Sequence, residues 1–68
     1  MKLKLKDGYA VQYQSVTSTT WRTRLSTTSK DAALIRLESI SESSPKGASV
    51  RVLDASADIV IAQKRGQL

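Results

Sequence analysis

The chain has 68 residues, no cysteine, no histidine, and eleven Lys and Arg against six Asp and Glu, a formal charge of +5. Such a length makes a single domain over residues 1–68, burying only about 60% of the surface that its unfolded chain exposes. The missing side chains exclude a disulfide frame and the common zinc-ligand sets, and the positive balance favours polyanions or acidic protein surfaces as partners.

In chain order, the first six residues alternate lysine with a long apolar residue, and Asp7-Gly8 then marks a hairpin. A two-residue turn would place Lys2, Lys4 and Lys6 on the face of Tyr9, Val11 and Tyr13. A three-residue loop, Lys6-Asp7-Gly8, with Gly8 at positive φ, instead pairs Leu5 with Tyr9, Leu3 with Val11 and Met1 with Tyr13. Because a slip of one residue flips every side chain, only the second register builds a core, and it sends the lysines to the opposite face.

After the polar stretch SVTSTT, the segment TWRTRLST alternates Trp21, Thr23 and Leu25 with Arg22 and Arg24 and reads as a third strand. The one helix falls within TSKDAALIRLESISESSPKG, with Thr28 and Asp31 as a capping box and Pro45 with Gly47 as the stop. On it Ala33, Leu37 and Ile40 share a face, Leu34 flanks them, and Ile35 lies nearly opposite. SVRVLD and DIVIAQ form a closing hairpin around ASA. A loop with an even number of residues puts Val50, Val52, Ile59 and Ile61 on the core face and Arg51, Leu53 and Val60 on the other. Residues 64–68, a basic tail, are expected to fray.

These elements predict an α+β domain of order β-β-β-α-β-β. It is an antiparallel meander plus a C-terminal hairpin in one sheet, with one helix packed on one face. No apolar run has the length of a signal peptide or of a membrane span, which gives the expectation of a cytoplasmic protein with no membrane partner.

The motifs for chemistry are sparse. Ten serines lack a histidine base, and a sheet with one helix has little room to desolvate a lysine in its place, so the expectation is a non-enzymatic chain without a small-molecule substrate. DASAD lacks the central glycine and terminal glutamate of a calcium loop, and the three glycines are too scattered to cradle a phosphate. No cofactor and no metal are expected.

Charge placement is the informative feature. In the expected register Lys2, Lys4, Arg22, Arg24 and Arg51 gather on the sheet face away from the helix, interleaved with Gln12 and Gln14, while all six acids fall on the helix or at turns. Such a face suits a row of phosphates, each contact releasing a counterion. With Tyr9, Tyr13 and Trp21 all directed to the core it has no stacking platform, so duplex or backbone contact with weak sequence preference is the first expectation. The plainer reading is that Lys, Arg, Gln and Thr are what any solvated sheet face carries. The alternative is a protein-binding regulator or inhibitor, or a self-associating homodimer subunit, using Ile35, Leu53 and Val60 as its interface.

Overall fold

A computed structural model describes residues 8–68. Four strands and one helix follow one another as β1 (Tyr9–Gln14), β2 (Arg22–Thr27), α1 (Lys30–Glu42), β3 (Ser49–Asp54) and β4 (Ile59–Arg65). The strands form one antiparallel sheet in the order β2-β1-β3-β4. The helix packs across one face, so the α+β class with a single helix on a single sheet is the architecture of the described chain. The strand expected over residues 1–6 and the Lys6-Asp7-Gly8 loop fall largely outside the described residues. β1 itself is paired on both edges, with β2 and with β3, and has no free edge to take the expected pairing. At the head of β1, Gly8 has φ 121°, the positive value that only glycine holds without strain.

Alternation builds the core. Val11, Val50 and Val52 are fully buried beneath Ala33 and Leu37 of α1, with Tyr9, Tyr13, Leu25, Leu34, Ile40 and Ile61 packed around them. Each buried Val or Leu contributes on the order of 1.5–3 kcal/mol. Among the described residues no side chain larger than valine is fully buried, so their core is as thin as the chain length implies.

Local chemistry sets the ends of α1. Ser29 is the N-cap in place of the expected Thr28: its hydroxyl accepts from the Ala32 N–H at 3.2 Å, and Asp31 sits in the positive first turn. At the other end the Ser43 N–H reaches the Ile40 carbonyl, and the chain turns at Pro45.

The closing hairpin has a four-residue loop, residues 55–58, between the paired Asp54 and Ile59. The even loop is therefore the one formed, with Asp58 at φ 57° completing it. A bulge in β4 sets Val52 opposite Ala62 and Leu53 opposite Val60, so that Ile61 is the extra residue. Ile61 and Ala62 both reach the core, whereas Ile59, expected there, lies at the sheet end and is 55% exposed.

The C-terminal segment departs most from expectation. Residues 64–68 are not a frayed tail: β4 continues to Arg65, and the N–H groups of Gly66, Gln67 and Leu68 donate to the carbonyls of Ala48, Ser41 and Ser44, each at 2.9 Å. The buried Ser41 hydroxyl donates to the Arg65 carbonyl at 2.6 Å. Glycine permits this seam, since a Cβ at position 66 would lie 1.7 Å from the Pro45 carbonyl oxygen.

Candidate functional site

Among the described residues the helix covers one face of the sheet and no element packs on the other, the open face. Directly paired residues project to the same face, so the register reads out what the open face carries. One row runs Thr23, Gln12, Arg51 and Gln63; the next holds Gln14, Ser49 and Arg65; on the other side lie Ser26, Ala10, Leu53 and Val60. Gln12, Gln14, Arg51, Leu53 and Val60 thus occupy the face expected for them.

Arg22 and Arg24 do not. A bulge between β1 and β2 leaves Val11 opposite Leu25 but brings Gln12 opposite Thr23 and Tyr13 opposite Arg22. The extra residue, Arg24, interrupts the alternation, and the side chains before it change face. Arg22 joins the side of Tyr13, and the Arg24 guanidinium lies 5.2 Å from the Tyr13 ring centroid, so both cations leave the set expected around Arg51. No glycine marks the bulge, so strict alternation was the natural reading. Lys2 and Lys4 lie outside the described residues.

The same bulge turns Trp21 outward. Expected in the core, the indole instead lies on the open face beneath the Arg51 guanidinium, whose carbon is 4.1 Å from the ring centroid. Arg51 is fixed from the other side: its Nε donates to Gln12 Oε1 at 2.8 Å, and Gln12 Nε2 reaches Thr23 Oγ1 at 3.4 Å. Thr23, Gln12, Arg51 and Trp21 therefore form one connected cluster across three strands. Among the described residues no Asp or Glu stands at an outward strand position: Asp54 pairs with Tyr9 on the helix side, and Glu38 lies on α1, where Lys64 Nζ meets it at 2.6 Å.

The remaining expected interface residue, Ile35, stands on the outer side of α1 at 70% exposure, on the rim of a shallow groove with Leu25 and Arg36. It is separate from the open sheet face. Among the described residues there is no cluster of acidic side chains suited to a metal ion, and no helix is long and apolar enough to cross a membrane.

The geometry defines a class, a small α+β domain whose antiparallel sheet is covered, among the described residues, on one side only. The chain matches no protein-family model, no curated protein and no solved structure.

Proposed function

We propose that this chain is a non-enzymatic binding protein that contacts nucleic acid through the open face of its sheet. The observation that supports this reading is that Arg51 and Arg65 stand diagonally across adjacent strands on a face to which no described strand carboxylate projects. Such diagonal positions are about 7–8 Å apart, within reach of one run of backbone phosphates. Gln12, Gln14 and Gln63 stand beside them as polar contacts, and exposed Arg22 and Arg24 can extend the contact around the β2 edge. Lys2 and Lys4, outside the described residues, belong to the proposed cation set by their charge alone. On this reading the chain works in the cytoplasm.

The test is a labelled nucleic acid titrated across a salt series. Arg51→Ala with Arg65→Ala weakens duplex binding and makes the dependence of log K on log salt shallower by about 1.8, at roughly 0.9 for each lost phosphate contact. If neither duplex nor single strand shifts at low salt with high-micromolar protein, the reading is wrong.

A second reading has an observation of its own. Leu53 and Val60 are cross-strand partners on the open face, and Val60 is 41% exposed, which gives an apolar corner suited to a protein partner or a second copy of the chain. In that role the protein would be a regulator or inhibitor of a nucleic-acid-handling complex, or a homodimer subunit. Val60→Asp then abolishes association while the helix signal survives. Sedimentation as an unchanged monomer before and after substitution removes the self-association form.

A further inference from the structure

We infer that the open face takes single-stranded nucleic acid, with an unpaired base stacked against the Trp21–Arg51 pair. This rests on the nucleic-acid reading above and sharpens it from backbone contact to base stacking.

Trp21 is the one tryptophan of the chain. A large ring contributes most when it is buried, and among the described residues this core holds no fully buried side chain larger than valine, so a tryptophan would be its natural filler. The bulge at Arg24 instead lets Leu25 face the helix and sends Trp21 to the other side of the sheet. A role in covering the sheet accounts for the ring alone. Cation–π attraction holds the Arg51 guanidinium over that ring at 4.1 Å, with its Nε fixed on Gln12 at 2.8 Å, so two stacking planes stand together on this face.

An arginine restrained in this way loses little further freedom when a ligand arrives. Only its Nε is engaged among the described residues, leaving the terminal N–H groups for a phosphate or a base edge. Indole and guanidinium planes are the two surfaces on which unpaired bases stack, and the pair is flanked by the polar side chains of Gln12 and Thr23 and by the positive charge of Arg65. Duplex bases are already stacked and paired, so this platform offers a duplex only its cations. The arrangement therefore favours single strands with little dependence on sequence.

The test uses the whole chain with three probes: a single-stranded oligothymidylate of about 10 nucleotides, within the span of one small binding domain, a duplex of the same length, and inorganic polyphosphate, which has charge but no bases. Because Trp21 is the only indole, its emission reports on this face directly, and labelled-probe anisotropy gives affinity. The single strand is expected to quench the emission and to bind about tenfold tighter than the duplex. Trp21→Leu should weaken it roughly 5- to 150-fold, the range for one lost base stack. Polyphosphate binding should not change, and Trp21→Phe should recover most of the loss. Arg51→Lys, which keeps the charge and removes the plane, should weaken the single strand alone, and circular dichroism checks that each variant folds. Equal affinity for duplex and single strand with unchanged emission overturns the stacking inference while the charge reading stands, as does an equal loss of polyphosphate binding in Trp21→Leu. Failure to bind any of the three probes overturns both.

Discussion

Replacing Gly66 by alanine tests the tertiary seam that holds the end of the chain. The added Cβ would lie 1.7 Å from the Pro45 carbonyl oxygen, 2.6 Å from its carbon and 2.7 Å from the Ser44 carbonyl oxygen. All three are backbone atoms, so no rotamer change relieves the overlap, and the segment must lift away. Lifting breaks the bonds from the Gly66, Gln67 and Leu68 N–H groups and endangers the one from Ser41 Oγ to the Arg65 carbonyl. At about 0.5–1.5 kcal/mol net for each bond, the three backbone bonds alone amount to roughly 1.5–4.5 kcal/mol. If the fourth goes, a buried Ser41 hydroxyl is left without its partner, at about 1–3 kcal/mol more. Against this stands the stiffening of the unfolded chain by alanine, about 0.4–1 kcal/mol.

The net loss, on the order of 3 kcal/mol, is a large share of the roughly 3–10 kcal/mol that a domain of this size holds. It corresponds to a fall in Tm of about 12–24 °C at 4–8 °C for each kcal/mol. Thermal unfolding followed by circular dichroism measures the fall, and hydrogen exchange shows whether the amides of residues 66–68 lose protection. A variant melting within about 2 °C of the parent, less than 1 kcal/mol on that scale, with those amides exchanging freely in both proteins, would refute the seam and restore a frayed tail.

Other perturbations separate local from tertiary causes. Ser29→Ala should destabilise the fold by about 1 kcal/mol through loss of the N-cap, while Thr28→Ala should stay within about 0.5 kcal/mol; paired urea titrations distinguish them. Gly8→Ala places a side chain at φ 121° and 2.9 Å from the Thr27 carbonyl oxygen, and should cost about 1–3 kcal/mol, seen as a lower urea midpoint. The Ser56 hydroxyl, the largest effect, holds the Asp54 carboxyl below its usual value of 3.8; desolvation opposes it, and the Ser56 and Ala57 N–H groups and the charge of Lys30 lower it further. Because the folded value is the lower one, this stabilisation is complete above 3.8 and disappears as pH falls through the folded value. Asp54→Asn should therefore flatten the acid limb of the stability curve below that point, and a carbon-detected titration of Asp54 should show the depressed midpoint directly.

Much of the fold is legible in the residues. The alternation in Tyr9–Gln14 and Ser49–Asp54 fixes which side chains are buried, and the spacing of Ala33, Leu37 and Ile40 fixes the inner face of the helix. The loop after Asp54 has the even count that the absence of a glycine there favours, although the bulge in β4 then sets Val50 opposite Lys64 and Val52 opposite Ala62. The site was less legible. Gln12, Gln14, Arg51, Leu53 and Val60 project as the pattern predicts, whereas Arg22, Arg24 and Trp21 lie at or before a bulge that leaves no glycine or proline as a mark and changes their face.

By itself the sequence determined the local properties of the chain: a thin aliphatic core, a cationic excess, one helix with an apolar inner face and strands of period two. These are set by side-chain chemistry and by the repeat of the backbone. Only the tertiary structure decided that β1 sits between β2 and β3, that Trp21 lies over the open face under Arg51, and that residues 66–68 close against the end of the helix. Each of these depends on one backbone meeting another far along the chain. One extra residue at Arg24 reverses a face, one missing Cβ at Gly66 admits the backbone of Ser44 and Pro45, and the free energy of such encounters belongs to the pair rather than to either segment.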